Sequence, residues 1–315
     1  MNNKYAGTDV TFVQERDYKF CSIIIILYIM SKTIFITGAT SGIGLETALA
    51  LAGDGNQIIA TDRSYEKGDI LVNACKDRFK GDRANIEIVI CDLSSFESIV
   101  AVCNEVKLKH QKIDTIINNA GVWNFSDRTT KNNIEEILQV NVLAPLLINQ
   151  LLFGPLSKSE DAKTIFAASG LHQGDVNLDD LEFKNKFSGF KAYRQSKLEV
   201  ILLCRLLAKK WAKYNIGVYC EHPGFVSTGL GRDAGWFANL FFKLFGIPAI
   251  KGAETLIYLA TQQKSTLVTG EYYYQNAVKK ITPQSYDILT AERLLARLKP
   301  YLLDYIKPGE GNIFE

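Results

Sequence analysis

The sequence predicts an α/β fold, in which a doubly wound parallel sheet carries helices on both of its faces. Short runs of β-branched and other apolar residues alternate with longer segments of helical periodicity, as in successive β-α units. The first such run, 33–37, leads into a glycine-rich turn and then into a helical pattern. Polar residues or glycines follow several of the runs, where parallel strands end and where ligands bind in such sheets.

Composition and charge restrict the class of protein and the kind of partner. The chain has 315 residues, of which 47% are hydrophobic and 22% charged, so it is expected to form an ordinary globular fold. A net charge of +2 without blocks of like charge predicts a small-molecule partner and no nucleic-acid partner. The cysteines and histidines show no disulfide or metal-ligand spacing, and reduced thiols favour a cytoplasmic location.

Residues 1–30 are predicted to be an N-terminal extension. Residues 1–19 are polar and aperiodic, and the apolar run 20–30 is too short to span a bilayer, which needs about 20 residues. The run also lacks the basic start and small-residue cleavage site of a signal peptide. Attachment to a membrane surface remains an alternative. Because a strand follows Met30 almost at once, we predict that the extension is dispensable and that 31–315 form a single dinucleotide-binding catalytic domain.

The glycine-rich turn after the first strand predicts a dinucleotide site. Residues 38–44 read Gly-Ala-Thr-Ser-Gly-Ile-Gly and precede the predicted helix 45–52. Glycines let the backbone approach a pyrophosphate at a helix N-terminus, where free N–H groups and the helix dipole favour anions. Between a strand and a helix, this pattern indicates a Rossmann-type sheet. The residues predicted to bind the cofactor here are Gly38, Ser41, Gly42, Ile43 and Gly44.

The end of the second predicted strand, 57–61, bears on which cofactor is bound. Asp62 stands where a carboxylate would hydrogen-bond the hydroxyls of the adenosine ribose and repel a 2′-phosphate. Arg63 follows directly and could instead bind that phosphate. NAD(H) is therefore favoured, and NADP(H) remains the alternative.

Two further predicted strands end in polar segments. The run 86–90 leads into Cys-Asp-Leu at 91–93, and 113–117 leads into Asn-Asn-Ala-Gly at 118–121. Helical patterns at 96–109 and 132–152 separate these strands from the next ones. A helix cap and an ordinary turn are the alternatives to a functional role. The residues predicted to line the cofactor site are Asp92, Leu93, Asn119, Ala120 and Gly121.

A tyrosine and a lysine four residues apart predict an acid/base centre. Tyr193 and Lys197 stand at the head of an apolar helical run, 198–211, and their spacing places both on one face of a helix. An ammonium close to the phenol would lower its pKa from about 10, so that Tyr193 could exchange a proton near neutral pH. The same spacing also occurs on solvated helix faces, so the pair needs support from the rest of the chain.

Together these motifs resemble the short-chain dehydrogenase/reductase family. The resemblance rests on Thr-Gly-x-x-x-Gly-Ile-Gly at 37–44, on 118–121 and on Tyr193-x-x-x-Lys197, and it covers about residues 31–280. Ala-Tyr-Arg-Gln-Ser-Lys-Leu at 192–198, His-Pro-Gly at 222–224 and the long segment before Tyr193 resemble its retinol dehydrogenase branch. The resemblance implies a short-chain NAD(P)-dependent alcohol dehydrogenase or carbonyl reductase.

The resemblance also implies further site residues. Ser169 follows the predicted fifth strand, 164–168, and would hydrogen-bond the substrate oxygen. Asn141, in the predicted helix 132–152, would hold a water that connects Lys197 to solvent. Tyr193 would be the acid/base, and Lys197 would also bind the nicotinamide ribose. The catalytic set is then Asn141, Ser169, Tyr193 and Lys197. Cofactor contacts are implied at Tyr193, Lys197, Pro223, Gly224, Val226 and Thr228.

The C-terminal part predicts the kind of substrate. Residues 229–246 are rich in large apolar side chains and correspond to the family's substrate lid, here about 229–250. We therefore expect an apolar alcohol or carbonyl substrate such as a retinoid, steroid or lipid-derived compound. Membrane association through this segment and a homo-oligomer remain alternatives. A catalytically silent nucleotide-sensing binding protein of the same fold is the competing function, and the complete catalytic set favours the enzyme.

Overall fold

Strands and helices alternate along the chain in the computed structural model, which describes residues 31–79, 85–224, 247–307, 309, 313 and 314. Within these residues one sheet contains the strands β1 Thr33–Thr37, β2 Gln57–Asp62, β3 Asn85–Ile90, β4 Thr115–Asn118, β5 Lys163–Ala167, β6 Gly217–Glu221, β7 Tyr272–Tyr274 and β8 Ala277–Val278. Their order is β3-β2-β1-β4-β5-β6-β7-β8. All neighbours are parallel except β8, which is antiparallel to β7.

Helices cover both faces of this sheet. They are α1 Gly42–Gly53, α2 Tyr65–Phe79, α3 Phe96–Lys109, α4 Glu136–Leu138, α5 Ala144–Leu151, α6 Phe153–Ser157, α7 Gly189–Trp211, α8 Ala249–Thr261 and α9 Ile288–Leu302. A π-helical turn, Gln139–Leu143, joins α4 to α5. One buried apolar cluster lies between the sheet and α3, α5, α7 and α9, and a second lies between the sheet and α1, α2 and α8. The predicted doubly wound α/β fold is confirmed.

The order of the strands creates the place for a ligand. The chain runs outward from β1 to β3 on one side and then returns to β4, which pairs with β1 on the other side. Connections therefore leave the carboxyl ends of β1 and β4 in opposite directions and open a crevice between them, where ligands bind in open parallel sheets. The N-terminus of α1 and the turn after β4 both lie at this edge.

Most predicted elements are present with shifted ends. Helix α3 matches the predicted span, 96–109. The predicted helix 132–152 begins only at Glu136, because Glu135 pairs with Thr129 in a β-bridge and caps the helix by accepting hydrogen bonds from two backbone N–H groups. Residues 283–305 form α9 flanked by two short 3-10 turns. Helix α2 and strand β8 were not predicted.

The segment before Tyr193 packs on the body of the protein. Within residues 173–191, which precede Tyr193, Leu181 and Glu182 are buried. Glu182 accepts hydrogen bonds from the Tyr301 hydroxyl at 2.9 Å and from the Glu135 backbone N–H at 3.2 Å. This segment thus ties α9 to the start of α4. Along the described ranges, no helix is both long and apolar enough to cross a membrane. Residues 1–30 and most of the predicted lid lie outside the described residues.

Candidate active site

The glycine turn after β1 has a backbone shape that requires glycine at particular positions. Gly38 and Gly42 have φ values of +67° and +54°, in the left-handed region that glycine adopts at low cost. Gly44 has an ordinary φ, but a Cβ there would overlap the carbonyl oxygen of Gly38. The turn therefore brings its backbone close to the N-terminus of α1, which is the arrangement that binds pyrophosphate groups.

The turn after β4 is fastened to this glycine turn. The Asn119 side-chain amide donates hydrogen bonds to the carbonyl oxygens of Thr37 and Gly38, at 2.9 and 3.1 Å. In return the Thr37 hydroxyl accepts hydrogen bonds from the backbone N–H groups of Asn119 and Ala120, both at 3.1 Å. Asn119 thus holds the two turns together across the crevice. Asn118, by contrast, is buried and hydrogen-bonds inside the sheet.

Asp62 lies at the end of β2, where the carboxylate for the adenosine ribose was predicted. Its oxygens accept hydrogen bonds from the Thr40 hydroxyl and from the Arg63 backbone N–H, the latter at 2.6 Å. Arg63 and Lys67 border the same cavity as Asp62. The site therefore has a carboxylate that suits a ribose hydroxyl and two cations that suit a phosphate.

Asp92 follows β3 and accepts hydrogen bonds from the Ser94 N–H and hydroxyl, at 3.0 and 2.6 Å, and from Lys131 at 3.3 Å. Partial burial raises the pKa of Asp92, but these hydrogen bonds outweigh burial, and the net pKa is lowered. Asp92 is therefore a carboxylate at neutral pH. The alternative suggested by the sequence, an ordinary helix cap, is excluded for α3, since Ser95 is the capping residue.

Tyr193 and Lys197 lie on one face in the first turns of α7, as their spacing predicted. Both side chains are buried, and the Lys197 ammonium lies 5.7 Å from the centre of the Tyr193 ring. Lys197 Nζ donates a hydrogen bond to the carbonyl oxygen of Ala167, at the end of β5, at 2.8 Å. The pair is therefore held against the carboxyl edge of the sheet.

The protonation of this pair differs from the sequence-based expectation. Burial raises the pKa of Tyr193 to about 12, while a hydrogen bond with Ser169 acts in the opposite direction. Burial lowers the pKa of Lys197 to about 8, opposed by attraction to Glu221. The prediction of a lowered tyrosine pKa is wrong for this arrangement, because burial dominates and Lys197 donates its hydrogen bond to Ala167 and not to the Tyr193 hydroxyl.

Asn141 lies in the π-helical turn and connects three segments. Its amide oxygen accepts a hydrogen bond from the Val122 N–H at 2.8 Å, and its amide N–H₂ donates to Val122 O at 3.0 Å and to Ser196 Oγ at 3.1 Å. A Cβ on Gly121 would lie 3.2 Å from Asn141 Oδ1 and 3.6 Å from Lys197 Nζ. Asn141 and Lys197 therefore both border Gly121.

Ser169 lies two residues beyond the end of β5. Its hydroxyl interacts with Tyr193 and accepts a hydrogen bond from the Leu171 N–H at 3.1 Å. Next to it, His222 Nδ1 accepts hydrogen bonds from the N–H groups of Gly170 and Gly224, at 3.1 and 3.3 Å. Burial lowers the pKa of His222 to about 4, so the ring is neutral and suited to accept them. His222 thus joins the loops that follow β5 and β6.

A cavity of about 460 Å³ lies along the crevice, and most of the predicted residues border it. Those bordering it are Gly38, Ser41, Gly42, Ile43, Gly44, Asp62, Arg63, Asp92, Leu93, Asn119, Ala120, Gly121, Tyr193, Lys197 and Pro223. Three other predicted residues lie behind the cavity lining and make the hydrogen bonds described above: Asn141, Ser169 and Gly224. Val226 and Thr228 lie outside the described residues. In the described ranges, no group of three His, Cys, Asp or Glu side chains could hold a metal ion.

Several residues that line the cavity were not predicted, and Trp123, Lys67 and Glu221 are the ones among them that bear on the site's chemistry. Trp123 stacks on the Tyr193 ring with centroids 4.5 Å apart and planes 13° apart. Lys67 and Glu221 also border the cavity. The available signals were an aromatic residue two positions after Asn-Asn-Ala-Gly and a carboxylate at the end of an apolar strand run.

Comparisons with known proteins agree with this geometry. Residues 32–235 match the sequence profile of the short chain dehydrogenase family. The chain is 32% identical over 278 residues to retinol dehydrogenase 14 from Mus musculus, covering 84% of this chain and 83% of that protein. It is 31% identical over 279 residues to polyprenol dehydrogenase from Homo sapiens, covering 84% and 83%. A crystal structure of an uncharacterized protein from Mycobacterium paratuberculosis superposes with a TM-score of 0.70 at 25% identity, covering 86% and 92%.

The fold, the glycine turn and the family match define a member of the short-chain dehydrogenase family, and this chain belongs to it. It is an oxidoreductase that uses a nicotinamide dinucleotide. Within the family it belongs to the branch that resembles the retinol dehydrogenases, as the sequence predicted.

Proposed function

We propose that the protein transfers a hydride between NAD(P)(H) and an apolar alcohol or carbonyl compound. The observation that carries this proposal is that Tyr193 and Lys197 border the same cavity as the glycine turn. A proton-transfer group thus faces the space that a bound dinucleotide would share with a substrate. The residues fit such a cofactor because the turn, Asp62 and Asn119 form its cradle. When bound, the nicotinamide supplies or accepts the hydride.

The protein's own residues handle the proton. In the oxidising direction, Tyr193 acts in its deprotonated, phenolate form. It takes the proton of the substrate hydroxyl while the hydride leaves the carbinol carbon. Ser169 donates a hydrogen bond to the substrate oxygen and so orients it. A charged Lys197 stabilises the phenolate, which burial alone disfavours. In the reducing direction the same groups act in reverse, and Tyr193 donates the proton.

Aromatic side chains beside Tyr193 support an apolar substrate. Trp123 stacks on Tyr193, and Phe125 lies 5.2 Å from the Trp123 ring, centre to centre. Phe190 lies 6.2 Å from the same ring. Phe125 and Phe190 are exposed, so this aromatic wall runs from the surface to the acid/base. Two relatives are named for retinol and polyprenol. We propose a retinoid, steroid or lipid-derived alcohol or carbonyl as the substrate class.

NAD(H) is the cofactor we propose to be preferred. Asp62 is held at the end of β2 by Thr40 and by the Arg63 N–H, where a carboxylate repels a 2′-phosphate. The positive charges of Arg63 and Lys67, which border the same cavity, would instead attract a 2′-phosphate. Measured dissociation constants for NADH and NADPH test this directly. Tighter binding of NADPH, abolished by Arg63→Ala together with Lys67→Ala, would reverse the preference.

The activity is tested by following NADH and NADPH consumption with a panel of apolar aldehydes and ketones, and their formation with the matching alcohols. Turnover that Tyr193→Phe removes supports the proposal. Tight cofactor binding without turnover on any member would instead support the alternative, a catalytically silent nucleotide-sensing protein.

We further propose a cytoplasmic location, for which fractionation of cells into cytosol and membranes is the test.

A further inference from the structure

Glu221 is a buried carboxyl group in the cavity wall that the mechanism above does not use. It is the last residue of β6, its exposed fraction is 0%, and it borders the cavity. Within the described part of the chain, neither of its carboxylate oxygens has a hydrogen-bond partner. Burying such a group without a partner is costly. Other buried carboxylates here, such as Glu182 and Glu199, do have hydrogen-bond partners.

The position of Glu221 relates it to Lys197. In the sheet, Glu221 pairs with Ala167 of β5, and the Ala168 N–H donates to Glu221 O at 2.7 Å. Ala167 is also the residue whose carbonyl oxygen accepts the hydrogen bond from Lys197 Nζ. Both side chains therefore gather at the end of β5, and both border the cavity. They interact through their charges and not through a direct hydrogen bond.

The two groups influence each other's protonation. Burial lowers the pKa of Lys197 and raises that of Glu221, and their mutual attraction opposes both shifts. The other titratable groups around them are Tyr193 on α7, Cys220 on β6 and Tyr272 on β7, and all three have raised pKa values through burial. These three groups are neutral at pH 7. Burial favours the neutral form of the Glu221 carboxyl group as well, so Glu221 ionises in partnership with a charged Lys197, and the two groups titrate as a coupled pair.

We propose that Glu221 is a positioning residue for Lys197, whose buried carboxyl group supplies the counter-charge that keeps Lys197 protonated. This inference rests on the proposed function, because the charge of Lys197 matters through the proton that Tyr193 exchanges. With the carboxylate present, the ammonium is retained to higher pH than burial alone would allow. Glu221 thereby sets the upper pH limit of the acid/base centre without touching the substrate oxygen.

The test measures the protonation of Lys197 without requiring turnover. The full-length protein is labelled with a trace of acetic anhydride at pH values from 6 to 11, and acetylation of Lys197 is read by peptide mass spectrometry against a free-amine standard. The variants are Glu221→Gln, which keeps the size and removes the charge, and Glu221→Asp, which keeps the charge. Glu199→Gln is the matched control, because Glu199 is also buried but bonds Gln195 and does not border the cavity.

We expect Glu221→Gln to move the midpoint of Lys197 labelling down by about one pH unit, while Glu221→Asp retains most of the wild-type value and Glu199→Gln retains it fully. In turnover, the alkaline limb of the kcat/KM profile should shift in the same direction. Unchanged labelling of Lys197 in Glu221→Gln would overturn the inference, and so would an equal shift in Glu199→Gln. A labelling shift in a protein without turnover on any substrate would support the charge coupling and refute the proposed function instead.

Discussion

The buried Glu199 on α7 predicts that the protein loses stability as the pH rises. Its exposed fraction is 1%, and it accepts a hydrogen bond from Gln195 Nε2 at 2.9 Å. Burial, which outweighs this hydrogen bond, raises the pKa of Glu199 from 4.5 to about 8. The folded state therefore keeps a proton that the unfolded state releases. The stabilisation is complete below the unfolded pKa, about 4.5, and is lost as the pH rises towards the folded pKa.

The size of this effect follows from the proton difference. One proton held by the folded state and not by the unfolded state changes the free energy of unfolding by about 1.4 kcal/mol per pH unit. Between pH 5 and pH 7.5 the loss attributable to Glu199 is therefore about 3 kcal/mol. Glu199→Gln keeps the contact with Gln195 and cannot ionise, so the variant should lack this part of the pH dependence.

Urea unfolding at several pH values between 5 and 8 measures the effect. The quantity of interest is the free energy of unfolding of Glu199→Gln minus that of the wild type, which should grow as the pH rises. Taking this difference removes contributions common to both proteins. Glu135, whose pKa burial raises to about 7, repels a charged Glu199 and so adds to the pH dependence of the difference. Glu254→Gln, at an exposed carboxylate on α8, is the control and should give a flat difference. A flat difference for Glu199→Gln as well would refute the reasoning.

Three further predictions concern the cavity. Tyr193→Phe should lower kcat at least about 10²-fold and leave the cofactor dissociation constant nearly unchanged; substantial remaining turnover would contradict the acid/base role. Gly44→Ala should weaken cofactor binding, measured by fluorescence titration, because its Cβ would overlap Gly38 O; Gly154→Ala, where a Cβ meets no atom within 4 Å, is the control. Trp123→Ala should raise KM for apolar carbonyls about tenfold, and an equal KM would exclude Trp123 from the substrate wall.

The parts of the fold that are local in sequence could be predicted. The strands β1 and β2 are short runs rich in β-branched residues, and buried parallel strands have this composition because their side chains face helices on both sides of the sheet. The glycine turn and Asn119 could be predicted too, since their backbone geometry allows few residue types. Helix α2 could not be placed this way, because it is largely polar and buries only Gly68, Leu71 and Cys75.

Residues whose importance comes from tertiary neighbours could not be predicted. Glu221 matters because the register of β5 and β6 places it beside the residue that binds Lys197, and this register is not visible within either strand alone. The raised pKa of Tyr193 likewise depends on how deeply α7 is buried. The four-residue spacing indicates only that the two side chains lie on the same face of a helix. Spacing could therefore identify the acid/base pair but not its protonation.

The π-helical turn at Asn141 shows why a correct residue can have an unpredictable geometry. The apolar pattern over 132–152 is compatible with one continuous α-helix, in which Asn141 would be a polar residue on a buried face. The wider turn, Gln139–Leu143, instead aims the Asn141 amide at both backbone groups of Val122 and at Ser196 on α7. Val122 directly precedes Trp123, which stacks on Tyr193. The position of the aromatic wall against the acid/base therefore depends on a local break in helical periodicity, a feature that π-turns commonly provide at functional sites.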